Sequence, residues 1–210
     1  GQPPRSDTLT VDMTVIAQAS PPRIDAISNV TLAEKESRAR HVRVTDENGD
    51  SLAVDIQGIP GFCSFNIAEN SAGLLEGDIE INPGYDDAGT FELCVVAREV
   101  KPENAANVSV CFTITVTDLN QPPVVPEPYV VTVRPNTLVE IFVSATDPDG
   151  DALSFSAIGL PDGVEIETME DSTRGRISGT WPAEEGNNVE VTIIVSDGQA
   201  ESTFKIIFLA

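Results

Sequence analysis

The chain has 210 residues, 40% of them hydrophobic and 22% charged, and carries a formal net charge of −22. A field of that sign repels nucleic acid and anionic lipid, which sets both aside as partners. No apolar run approaches the roughly 20 residues that a membrane-spanning helix needs, so direct membrane insertion is set aside too.

The charge is not a tail effect. Residues 1–120 hold 8 basic against 19 acidic side chains and residues 121–210 hold 4 against 15, a balance of −11 in each part. A solubilised surface accounts for such an excess, and so do acidic clusters that wait for divalent cations. Gly and Pro are frequent and scattered, as expected of many short strands joined by tight turns. No leader peptide is legible at the start, which suggests a mature chain or an excised piece of a longer one.

In chain order, Thr8–Ile16 alternates like a half-buried strand and is followed by Pro21-Pro22. The same sequence of events recurs at Val108–Val116 and Pro122-Pro123. Two further pairs share that offset of 101 residues: Thr45-Asp46-Glu47-Asn48-Gly49-Asp50 with Thr146-Asp147-Pro148-Asp149-Gly150-Asp151, and Gly58-Ile59-Pro60-Gly61 with Gly159-Leu160-Pro161-Asp162. Three matches at one offset establish an internal repeat of about a hundred residues.

The repeat sets the expected organisation: an orphan strand and linker over 1–20, a domain over 21–118, a linker over 119–123 and a second domain over 124–210. Residues 1–17 then correspond to the last strand of a preceding domain. Val11, Met13 and Val15 need a partner, either as an extra edge strand on the first domain or on another molecule, so an oligomer through this segment is one expectation.

Each domain contains about seven short alternating runs. In the second these are Val130–Val133, Leu138–Ala145, Leu153–Ala157, Val164–Thr168, Gly175–Ser178, Val189–Ser196 and Ser202–Leu209. Without a helical period or a strand–helix alternation, the pattern predicts an all-β chain of two tandem Greek-key β-sandwiches in an extended arrangement.

The three cysteines all lie in the first half. Phe91–Ala97 and Val108–Ile114 read as a hairpin turning near Pro102-Glu103-Asn104. Alternation puts Cys94 and Cys111 on the face away from the core, where a cross-strand disulfide would fit an oxidising compartment; three unrelated small residues is the alternative. The lone His41 has no metal-ligand spacing around it and reads as a surface residue. The sequons at Asn29 and Asn107 matter only if the source glycosylates secreted proteins.

Three carboxylates at alternate positions, Asp147, Asp149 and Asp151, repel one another unless a cation sits among them, and calcium takes about six to eight oxygen ligands. A helix-flanked calcium loop needs Glu at its twelfth position, where Ile158 stands, and its flanks here are strands. A favoured Asp-Pro-Asp-Gly turn is the plainer reading.

Ala145-Thr146-Asp147-Pro148-Asp149-Gly150-Asp151, the linker Asp118-Leu119-Asn120-Gln121-Pro122-Pro123, Gly159-Leu160-Pro161-Asp162-Gly163 and Ile81–Thr90 together resemble tandem cadherin-like repeats of the bacterial and dystroglycan type. The resemblance covers nearly the whole chain. It implies calcium at the junction between consecutive domains, with ligands Asp118 and Asn120 from the linker, Asp147, Asp149 and Asp197 from the downstream domain, and Glu34 with Asp86 or Asp87 from the upstream one. The family's Asp-Arg-Glu is replaced by Asp86-Asp87-Ala88, which implies one or two ions rather than three.

In the first domain the frame keeps Asp46, Asn48 and Asp50, with Glu99 in the slot of Asp197. Its linker reads Ala17-Gln18-Ala19, so a degraded or weak site is expected there. The lower end of the second domain, with Arg134-Pro135-Asn136-Thr137 where the first has Glu34, is expected to bind no ion.

No enzyme constellation is visible. His41 lacks a nucleophile elbow, and no glycine-rich phosphate loop opens a helix. Trp181 could stack on a sugar ring, although such a residue more often seals a small core. The expectation is a non-catalytic, extracellular, calcium-stiffened spacer or adhesion module of a cell-surface protein. Its partners would be other surface proteins or a second copy. The alternative is a polysaccharide-binding doublet.

Overall fold

The structure is a computed structural model that describes residues 9–13, 20–100, 107–182 and 188–209. The chain separates into two compact units, residues 1–118 and 119–210. The orphan segment of the sequence reading lies in part outside the described residues, as does the turn near Pro102.

Unit 1 contains β1 (Arg23–Ile24), β2 (Val30–Ala33), β3 (Arg38–Thr45), β4 (Leu52–Gln57), β5 (Cys63–Ser71), β6 (Leu74–Ile81), β7 (Gly89–Glu99) and β8 (Asn107–Thr117). They form two four-stranded sheets, ordered β1-β3-β6-β5 and β2-β8-β7-β4. Alternation puts one face of every strand inward. Val42 and Val44 of β3, Leu75, Ile79 and Ile81 of β6, Leu93 and Val95 of β7, and Phe112, Ile114 and Val116 of β8 make one buried cluster. Outward positions on the same strands carry His41, Arg43 and Glu76, with an Arg43–Glu76 ion pair at 2.7 Å. Removing that apolar area from water drives the two sheets together at about 25 cal/mol per Å².

Unit 2 contains β9 (Tyr129–Thr132), β10 (Leu138–Ser144), β11 (Ser154–Ile158), β12 (Val164–Thr168), β13 (Arg174–Thr180), β14 (Asn188–Ser196) and β15 (Glu201–Leu209). Its sheets are β10-β13-β12 and β11-β14-β15-β9. The repeat is visible in the pairing: Arg23 faces Thr45 in unit 1, and 101 residues on Val124 bridges Thr146. In both units the last strand fills an interior place, antiparallel to one neighbour (β7 or β14) and parallel to the other (β2 or β9).

The motif glycines have a physical reason. Gly58 and Gly159 adopt φ of +74° and +93°, and a Cβ would meet the carbonyl oxygen of Glu92 at 2.5 Å and of Glu190 at 2.7 Å, respectively. Only glycine both tolerates that backbone and lets the turn lie against the neighbouring strand.

Two open alternatives narrow. Trp181 is 1% exposed and stacks on Phe208 with ring centroids 4.7 Å apart, so it cannot stack on a sugar; it belongs to the core of unit 2. Residues 9–13 form no strand, and Leu9, Val11 and Met13 are 86%, 72% and 83% exposed, so this stretch is not an extra edge strand of unit 1. Cys94 and Cys111 face each other across β7 and β8 and are joined by a disulfide, and Cys63 is free.

Candidate functional site

The two acidic frames fold into the same loop, each following a strand at one end of its unit. In unit 1 the Oδ1 atom of Asp46 accepts the backbone N–H of Asn48 at 2.9 Å and of Asp50 at 3.0 Å. In unit 2 the Oδ1 atom of Asp147 accepts those of Asp149 at 2.9 Å and Asp151 at 3.1 Å. Gly49 and Gly150, with φ of +74° and +82°, complete the turns. A short acceptor at the first position is what such a turn needs, which explains Asp there without invoking a metal.

The third position of each frame is also committed. The backbone N–H of Ser20 donates to Asn48 Oδ1 at 2.9 Å, and that of Gln121, at the same place before its Pro-Pro pair, donates to Asp149 Oδ2 at 2.6 Å. Gln121 Nε2 adds a bond to Asp149 Oδ1 at 3.0 Å. The loop therefore grips the residue that enters its own unit. Either Asn or Asp can accept that bond.

What the turn leaves over is the second oxygen of the first aspartate. Asp46 Oδ2 and Asp147 Oδ2 are both buried and have no hydrogen-bond partner. A carboxylate oxygen in that position is costly unless a cation or donor reaches it.

In unit 1 the surroundings supply more anionic oxygen. One oxygen each from Asp46, Asp50 and Glu99 converge within 4.8 Å of one another, with Asp46 and Glu99 buried. Glu99 gets there because β7 pairs with β4 in the register Leu52–Glu99, which places the end of β7 beside the loop.

In unit 2 the corresponding group differs. Asp197 Oδ1 accepts the N–H groups of Gln199 and Ala200, both at 2.6 Å, and its Oδ2 accepts Asn120 Nδ2 at 3.0 Å. The Ala200 bond first, and the Asn120 amide next, hold its carboxyl below the ordinary aspartate range. That grip orients Asn120, whose Oδ1 is buried without a partner. Asn120 Oδ1 and Asp147 Oδ2 are the uncommitted oxygens of this set, whereas Asp149 and Asp197 are tied to donors.

The remaining expected ligands, Glu34, Asp86 or Asp87 and Asp118, belong to unit 1. Glu34 is buried and its Oε1 accepts the backbone N–H groups of Asp87 at 2.9 Å and Ala88 at 2.8 Å. Asp87 Oδ2 in turn accepts Gly84 N–H at 2.7 Å. These carboxylates hold the 84–88 loop together. Asp86, at φ +71°, and Asp118 are exposed. The convergence at Asp46, Asp50 and Glu99 follows from strand register, whereas the sequence pattern had favoured the second frame.

The family model He_PIG, described as "Putative Ig domain", matches residues 122–209. The fold is Ig-like. No curated protein matches the chain. Similar solved structures include an endo-fucoidan hydrolase of glycoside hydrolase family 107 (18% identity, 90% of this chain and 28% of that one, TM-score 0.39). Others are the titin domains Z1Z2 in complex with telethonin (12% identity, 92% and 98%, TM-score 0.40) and the sialic acid binding region of the Streptococcus sanguinis SK1 adhesin (13% identity, 91% and 78%, TM-score 0.40). The chain spans about a third or less of the length of the fucoidan hydrolases it resembles.

Proposed function

We propose that this chain is a non-catalytic, calcium-binding pair of Ig-like repeats of cadherin type, serving as a spacer or adhesion module in an extracellular surface protein. The observation that carries the reading is the paired orphan: the same Oδ2 atom, in frames 101 residues apart, is buried without a hydrogen bond in both units. In unit 1, Asp46, Asp50 and Glu99 would hold the ion. In unit 2, Asn120 and Asp147 would offer it oxygens. Hard oxygen donors of this kind suit calcium, and its charge would relieve carboxylates that otherwise repel one another. The Cys94–Cys111 disulfide supports an oxidising compartment. Burial of Trp181 removes the residue on which a sugar-binding reading rested.

Calorimetric titration of the 210-residue chain with calcium, beside thermal melts with and without chelator, tests the proposal. Calcium should bind with measurable heat and raise the melting temperature by mass action, the stability gain being about 2.7 kcal/mol at 100 times its dissociation constant. Asp46→Asn with Asp147→Asn keeps the turn acceptors and should abolish both effects. Binding and melting unchanged in that double variant would sink the proposal.

A further inference from the structure

We infer that Leu9, Val11 and Met13 are the core-facing side chains of the last strand of another Ig-like unit, one that precedes unit 1 in the polypeptide. At the 101-residue offset these residues fall on Val110, Phe112 and Ile114 of β8. Phe112 and Ile114 are buried, and Val110 packs against the same core, whereas Leu9, Val11 and Met13 are 86%, 72% and 83% exposed. Thr10 and Asp12 fall on the outward positions of Cys111 and Thr113. The segment thus has a core pattern and no core.

Both units show what place a last strand takes. It lies inside its sheet, antiparallel to one neighbour and parallel to the other, and both neighbours are needed to cover it. In unit 1 that place is filled by β8 and in unit 2 by β15, so a second copy of this chain has no equivalent slot to offer. The joint agrees: strand, then Pro-Pro, then the next unit, occurs at Pro21-Pro22 as it does at Pro122-Pro123. An Ig-like sandwich whose interior slot is open is the partner that this segment fits, because it buries the apolar face and satisfies the backbone on both sides at once.

The test is a chimera of the 210-residue chain in which residues 6–16 replace residues 107–117. Cys111 becomes Thr, so the reference is the chain with Cys94→Ser and Cys111→Thr. The chimera should keep the unit 1 melting transition within about 5 °C of that reference, a shift of the size one kcal/mol produces in a small domain. The same residues in shuffled order should lose it. Loss in the chimera, or retention in the shuffled chain, overturns the inference. Separately, Leu9→Asp, Val11→Asp and Met13→Asp together in the native chain should leave both unit transitions unmoved. A fall in the unit 1 transition would mean that the segment packs there, and self-association abolished by the triple change would assign it to a second copy; either overturns the inference.

Discussion

At the scale of single residues, the aspartate that opens each frame has two separable tasks. Its Oδ1 closes the turn by accepting two backbone N–H groups, and its Oδ2 is the buried orphan. Asp46→Asn keeps the first task and removes the charge of the second, so without metal the melting temperature of unit 1 should hold or rise. Asp46→Ala strips both acceptances and should cost roughly 2–4 kcal/mol, measured by denaturant unfolding in chelator. Cys63 gives a check of a different kind. Burial first, and the nearby Asp87 carboxylate second, push its thiol up to about 11. The neutral thiol is thereby favoured in the fold. That contribution is fully present below the thiol's unfolded value and is lost as pH rises through about 11. At pH 8 the thiolate fraction should be roughly 100-fold lower than in the unfolded chain, so alkylation of Cys63 should slow by that factor until denaturant is added.

At the scale of strands and turns, side chains that close the core should dominate stability. Trp181→Ala removes the stack on Phe208 and should cost about 3–5 kcal/mol in unit 2, read by denaturant unfolding. Gly159→Ala adds strain at positive φ and a clash with the Glu190 carbonyl, and should cost about 1–3 kcal/mol in the same assay. On the turn between β12 and β13, Arg174 first and the Thr173 backbone N–H second hold the Asp171 carboxyl below its ordinary range. A depressed carboxyl stabilises the fold above the unfolded value of about 3.9, and the benefit disappears as pH falls through the lower folded value. Thermal melts between pH 5 and pH 2 should therefore show a shallower acid loss for Asp171→Asn than for the native chain.

For the whole molecule, two separate buried clusters and one disulfide make a simple prediction. Unfolding should proceed in two transitions, one per core. The disulfide closes a loop of 17 residues within unit 1, where chain entropy assigns it about 3 kcal/mol. Reductant should lower one transition and leave the other in place, as scanning calorimetry can follow. A net charge of −22 also predicts that moderate salt raises both by screening self-repulsion.

Strand positions were legible because inward and outward residues alternate with period two. Leu138–Ala145, predicted from that alternation, appears as β10 (Leu138–Ser144), and Val164–Thr168 appears unchanged as β12. The repeat was legible because its loops need particular residues: glycine at positive φ, aspartate to close a turn, and prolines at the joint. Beyond the Cys94–Cys111 pair of the β7–β8 hairpin, side-chain partners across the fold were not legible. Glu34 reads as an acidic residue near a strand end, and only the approach of the 84–88 loop makes it a buried acceptor of two N–H groups. Trp181 reads as a lone aromatic after Gly-Thr until β15 brings Phe208 beneath it. The acidic frame itself looked alike in both repeats, and linker composition favoured the second. Strand register adds a difference that neither frame shows by itself: pairing of Leu52 with Glu99 delivers a third carboxylate to Asp46 and Asp50, while Gln199, Ala200 and Asn120 engage Asp197. Local chemistry specifies strands and turns because each is settled within a few residues. Which oxygens are left without a partner depends on groups brought together from far apart in the chain, and the tertiary structure alone decides that.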